Sequence, residues 1–201
     1  MSAYQDHKRR WSACKLCVLS KTRHSVVLCR GKLPCTVLFI AEAPGTSEDM
    51  MGVPLVGPAG HLFDHILKES GFERIRYAMT NLVACIPILQ ERSEGRGRVK
   101  SNVEPKWIKA CSLRLKELVE IAKPKHIVCV GSLSETHARV SVGDSPIHPR
   151  YKWHKIIHPS AILRMDVSQK NLAYQRAVVV LQDLAEDILN PVRNVDKVSG
   201  E

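Results

Sequence analysis

No run of apolar residues in this chain approaches the roughly 20 needed to cross a bilayer. The first residues, MSAYQDHKRRW, lack the hydrophobic stretch of a secretory signal, so the expected setting is cytoplasmic, with no membrane partner. The G-x-G-x-x-G spacing of dinucleotide-binding turns is absent. Acidic residues are in deficit: 20 Asp and Glu stand against 30 Lys and Arg, for a net charge of +10 and a pI near 9.4. That balance favours phosphate-bearing partners over a neutral metabolite. A reducing compartment disfavours structural disulfides, so the seven cysteines read as metal ligands or as buried small hydrophobes. The length of 201 residues and an apolar content of 44% fit one domain with a real core, spanning 1–201 and expected to be a monomer. Its expected appendages are a basic arm or first helix over 1–10, a basic loop over 90–103 and a polar tail over 191–201.

What the chain does contain is organised around 37–64, VLFIAEAPGTSEDMMGVPLVGPAGHLFD. Val37, Leu38, Phe39 and Ile40 predict a buried strand; a loop rich in Pro and Gly follows, and Leu62, Phe63, Ile66 and Leu67 recur at helical spacing. Strand, glycine-rich loop and helix is how an α/β sheet builds a ligand site at the carboxyl ends of its strands. Further strands are expected over 77–84, 126–131 and 153–157, with helices over 104–122 and 172–189 and a short one over 133–138. The alternation predicts a three-layer α/β/α fold with a mostly parallel central sheet of about four strands.

Cys14 and Cys17 form a C-x-x-C pair before the first strand, Cys85 follows the second strand, and Cys111 lies within a helix. Four thiolates can hold tetrahedral zinc or an iron–sulfur cluster. Spacing alone does not select the last two members, because Cys29, Cys35 and Cys129 are also available; Cys129, in IVCV, reads as a core residue.

Three motifs in order, EAPGTSED…G-x-P-x-VG-x-AG at 42–60, TN at 80–81 and HPSAILR at 158–164, resemble the uracil-DNA glycosylase superfamily. With the cysteines, the chain is most similar to the iron–sulfur-containing family 4 type. The resemblance implies that Cys14, Cys17, Cys85 and Cys111 hold a structural [4Fe–4S] cluster, with zinc as the alternative. It implies that Glu42 is the acidic residue of the first active-site motif, that Asn81 reads the uracil edge and that His158 assists departure of the base. Arg164 and the neighbouring leucines fall where the family contacts the opened duplex. Three departures stand out: Leu55 occupies the place of a base-stacking Phe, Ala41 precedes the Glu where the family commonly has Gly, and the Cys85–Cys111 interval is long.

The implied activity is hydrolysis of the N-glycosidic bond of uracil in single- or double-stranded DNA. Asn81 supplies an acceptor for N3–H and a donor for O4, a pattern that cytosine reverses. His158 stabilises charge growing on O2, and Glu42 positions the attacking water. Gly45, Gly57, Gly60 and Ser160 are expected near the flanking phosphates, with Arg23 and Arg164 farther along the backbone. No lysine stands out as a Schiff-base nucleophile, so a monofunctional enzyme is expected. The alternatives are a glycosylase for another deaminated or modified base, prompted by Leu55, and a non-catalytic DNA-binding or damage-sensing module of the same fold.

Overall fold

The computed structural model describes residues 2–87 and 102–191, and the backbone alone at 89–91 and 98–100. The first helix, α1 (Ala3–Trp11), starts from a capping box: the Ser2 hydroxyl accepts the Gln5 N–H at 3.3 Å and the Gln5 side chain accepts the Ser2 N–H at 3.0 Å. A two-residue strand, β1 (Arg30–Gly31), leads to β2 (Val37–Ala41). Next come α2 (Thr46–Met51), α3 (Pro58–Glu69) and β3 (Tyr77–Asn81). The short strands β4 (Leu89–Glu91) and β5 (Arg98–Lys100) pair antiparallel with each other. The chain closes with α4 (Pro105–Ala122), β6 (His126–Val130), α5 (Ser132–Val142), β7 (Lys152–Ile156), α6 (Pro159–Arg164) and α7 (Val167–Leu189).

The central sheet has five strands in the order β1-β3-β2-β6-β7, parallel throughout except for β1. The expected four are therefore joined by an antiparallel edge strand, too short and too turn-like in sequence (CRGKLPC) to signal itself. Alternation along β2 sorts the core into two layers. Leu38 and Ile40 face α4 and α5, beside Trp107, Leu115 and Val142. Val37 and Phe39 face α3, α6 and α7, beside Phe63, Ile162 and Leu181. The three-layer α/β/α arrangement follows.

The strand over 77–84 stops at Asn81, and the residues after it run on beside β2, with Leu82 and Val83 N–H donating to the Ala41 and Glu42 carbonyls at 2.9 and 3.1 Å. The 133–138 helix extends to Val142 and the closing helix starts at Val167, capped by Asp166. Val180, expected on the buried face of that helix, is 41% exposed. The expected basic loop over 90–103 takes in β5 and most of β4; its side chains over 90–101 lie outside the described residues, as does the tail over 192–201, while Val103 is buried in the core. Among the described residues no helix is long and apolar enough to cross a membrane.

Candidate active site and cysteine pocket

The order of strands changes direction between β2 and β6, and there the carboxyl ends of an open sheet part to leave a crevice. A cleft of about 730 Å³ opens beside that edge. Glu42, one residue beyond β2, and His158, two beyond β7, both line it, with Gly131, Ser160, Arg164 and Arg176. Glu42 is half-buried and makes no side-chain hydrogen bond or ion pair to any described residue.

The imidazole of His158 has a defined orientation. Its Nδ1 accepts the Ser160 backbone N–H at 3.1 Å, with the Ser160 hydroxyl 2.8 Å away. A ring nitrogen that accepts from an amide carries no proton, so the neutral ring keeps its proton on Nε2. The geometry follows from the sequence His-Pro-Ser: His158 is the N-cap of α6 and Pro159 supplies its first turn. Gly131 closes the other side. Its φ is +94°, and a Cβ there would meet His158 Cβ at 3.0 Å, so only glycine leaves the ring where it is.

Asn81 ends β3 directly opposite Ala41, with Glu42 one residue further along. It is 2% exposed, does not line the cleft, and its Nδ2 meets no acceptor among the described residues. Buried amide nitrogens are rarely left unpaired, and the exceptions call for an explanation. Leu55, Gly45, Gly57 and Gly60 also stand outside the cleft lining. Leu55, expected over a base, belongs to the core cluster with Phe63 and is 6% exposed. Its φ is +53°, unusual for a side chain this size, and Arg30 Nη1 donates to its carbonyl at 2.7 Å.

Sequence reasoning missed what holds this loop. The Glu48 carboxylate accepts the N–H of Gly45, Val56 and Gly57 at 2.9, 2.9 and 2.7 Å. The N–H groups of Gly45 and Gly57, expected to meet phosphates, thus have a partner within the chain. Asp49 accepts the His24 and Ser25 N–H groups. Glu48 and Asp49 make an ordered turn with a helix in it from what reads as loop, and Glu48 three residues after Gly45 was the available signal.

Cys14, Cys17, Cys85 and Cys111 line one small pocket together with Trp11, Arg23 and Arg114. Cys29, Cys35 and Cys129 are not part of it. Arg23, expected on DNA, donates to the Cys14 carbonyl at 2.5 Å and so shapes the C-x-x-C turn. Burial pushes the Cys85 thiol up to about 12, so at neutral pH it stays uncharged unless a metal displaces its proton. Tetrahedral zinc would draw the sulfurs to about 3.8 Å apart, given Zn–S bonds of about 2.3 Å. Among the described residues no three His, Cys, Asp or Glu side chains converge to enclose a single ion. Four thiols on the wall of one pocket are a donor set with the chemistry to hold a metal centre, zinc or iron–sulfur.

Arg114 lies one turn beyond Cys111 on α4 and is 1% exposed. It donates to Thr80 Oγ1 at 3.0 Å and to the Asn81 and Leu82 carbonyls at 2.6 and 2.8 Å. Burial pulls its guanidinium down, while negative charge on Cys111 and Cys85 would push it back up.

Residues 30–183 match the family model of the uracil DNA glycosylase superfamily. The chain is 31% identical over 185 residues to a type-4 uracil-DNA glycosylase of Thermotoga maritima, an alignment covering 87% of this chain and 88% of that protein. This chain belongs to the uracil DNA glycosylase superfamily, in its type-4 branch. A type-4 uracil-DNA glycosylase of Archaeoglobus fulgidus is 27% identical over 178 residues, covering 81% of this chain and 84% of that one. One from Sulfurisphaera tokodaii is 32% identical over 148 residues, or 72% of this chain, which spans 62% of that relative's length. The crystal structure of wild-type Pedobacter heparinus SMUG2 superposes with a TM-score of 0.58 over 76% of each chain at 10% identity, a likeness of fold. The superfamily segment contains Glu42, Asn81 and His158 along one sheet edge; Cys14 and Cys17 precede it.

Proposed function

We propose that this chain is a monofunctional glycosylase that hydrolyses the bond between uracil and deoxyribose in DNA and leaves an abasic site. One observation carries the reading: an imidazole whose Nδ1 accepts from Ser160 shares a cleft with a carboxylate that has no hydrogen-bond or ion-pair partner among the described residues. The extruded nucleotide would lie along the carboxyl edge of the sheet, between Asn81 and His158, with Glu42 between them. As the C1′–N1 bond breaks, its electrons pass into the base, and His158 Nε2–H donates to the O2 on which the charge collects. Water oriented by Glu42 adds to C1′ and passes its proton to that carboxylate, from which it returns to solvent or to the departed base anion. The Asn81 amide, whose buried Nδ2 meets no acceptor among the described residues, pairs with O4 and N3–H. Extrusion costs a few kcal/mol, least at mispairs and in single strands.

Arg164 and Arg176 would hold the DNA backbone at the cleft, and Ser160 a flanking phosphate. Gly60 lets the helix start pack against the loop: a Cβ there would lie 1.9 Å from the Leu55 carbonyl oxygen. Cys14, Cys17, Cys85 and Cys111 would hold a [4Fe–4S] cluster, with zinc as the second choice. The bound group supplies a cross-link between the N-terminal segment, the residues after β3 and α4.

The buried position of Leu55 favours a second reading, a glycosylase for another deaminated or modified base, because no aromatic face is offered at that position for stacking. The test is incubation with oligonucleotides containing uracil, hypoxanthine, xanthine or a thymine mispair, followed by alkaline strand scission. Scission at uracil is expected. Scission only at another base would select the second reading. Equal binding of uracil-containing and undamaged DNA with no scission would instead mark a non-catalytic DNA-binding module.

A further inference from the structure

A guanidinium buried to 1% exposure normally faces a carboxylate, because an unpaired charge in the interior is costly. Arg114 faces none: among the described residues its partners are the Thr80 hydroxyl and the carbonyls of Asn81 and Leu82, all neutral. The pocket it lines with Cys14, Cys17, Cys85 and Cys111 would supply that negative charge once a metal centre displaces the thiol protons. Its other side grips the end of β3 where Asn81 stands, and Thr80 extends the grip by donating to the Leu28 carbonyl at 2.6 Å. We propose that Arg114 is a positioning residue with two ends, balancing the charge of the filled cysteine pocket while fixing Asn81 for base reading.

The two ends make separate demands. Charge balance needs only a cation; positioning needs the planar fork that reaches Thr80 Oγ1 and two carbonyls at once. Emptying the pocket should loosen Asn81 through Arg114, although neither the metal centre nor Arg114 touches the base. The inference rests on the proposed function, and its test separates the two: wild-type protein that releases no base overturns the function, and wild-type protein that binds no iron overturns the filled pocket, before Arg114 is examined.

The test compares Arg114→Lys, Arg114→Gln and Thr80→Val with the wild type, all purified anaerobically. Three quantities are read: iron and acid-labile sulfide per chain, the reduction midpoint of the visible absorbance, and kcat and KM for uracil release. Arg114→Lys should keep wild-type iron and midpoint yet lose about tenfold or more in kcat/KM, as expected for losing hydrogen bonds from a charged donor. Arg114→Gln should lose iron or move the midpoint to more negative potential, since an electron added beside a missing cation is less stabilised. Thr80→Val, nearly isosteric, keeps the charge and should lower kcat/KM with iron content unchanged, which holds the test open if Arg114→Gln fails to fold. Indistinguishable iron content and midpoint for Arg114→Lys and Arg114→Gln would overturn the charge role. Wild-type kinetics in both Arg114→Lys and Thr80→Val would overturn the positioning role.

Discussion

At the scale of single residues, the site depends on groups that touch no substrate. Gly131 is the clearest case, because its missing side chain is what leaves room for the His158 ring. Gly131→Ala should lower uracil release about 10²-fold, the order expected from displacing a catalytic group by an ångström. Single-turnover excision measures this, and a preserved melting transition would show that the loss is local. Glu42→Gln keeps the shape of a side chain without hydrogen-bonded partners among the described residues, so folding should be unaffected while turnover drops about 10²-fold, the scale of a lost general base. Unchanged turnover in the folded variant would remove Glu42 from the mechanism. The motif residues Glu42, Asn81 and His158 could be named from sequence because they sit in short local patterns. Gly131, Arg114 and Arg176 could not, because their roles arise from neighbours remote in sequence; Arg114, for one, meets residues more than 30 positions away.

Among the elements, periodicity served well where one face is buried and poorly where polar side chains do the ordering. α4 was legible because Ile108, Cys111, Leu115, Leu118 and Val119 repeat at helical spacing, and all five are buried. α2 was not: it buries Glu48 and Asp49, acidic residues that read as solvent-facing until their backbone partners are known. Glu48→Gln replaces one acceptor oxygen by a donor that cannot receive the loop N–H groups. With the remaining oxygen on Val56 and Gly57, the Gly45 N–H loses its acceptor, which should cost about 1.5–3 kcal/mol, one bond to a charged acceptor. Urea denaturation measures the loss, and base release should fall with it as the loop beside Glu42 loosens. α1 was an open choice between frayed arm and helix. It is tied to α4 through Glu117, which accepts from Trp11 Nε1 at 2.6 Å and from Arg10 at 2.8 Å.

For the whole molecule, net charge and buried histidines set the response to salt and pH. A chain at +10 should bind DNA more weakly as salt rises. Arg164→Ala and Arg176→Ala should each weaken binding to any sequence and reduce the log–log salt slope by about one, measurable by fluorescence anisotropy. His126 lies against His154, Nδ1 to Nε2 at 3.0 Å, on the strands β6 and β7. Burial first, then His154, Lys152 and Lys125, pull it down to about 4, against Asp187 acting in the opposite sense. The unfolded chain takes up that proton near 6.5, so the stabilisation is complete above 6.5 and is lost as pH falls toward 4. The melting temperature should drop across this window, and less so in His126→Gln. What the sequence alone determined is everything carried by local pattern: the α/β class, the main strands and helices, the C-x-x-C pair and the three short motifs. Only the tertiary structure decided which cysteines share a pocket, that the buried Arg114 reaches from it to the Asn81 carbonyl, and that Glu48 takes the loop amides. The reason is physical: periodicity records which face of an element is buried, whereas the pairing of buried charges and amides depends on which elements the fold places side by side.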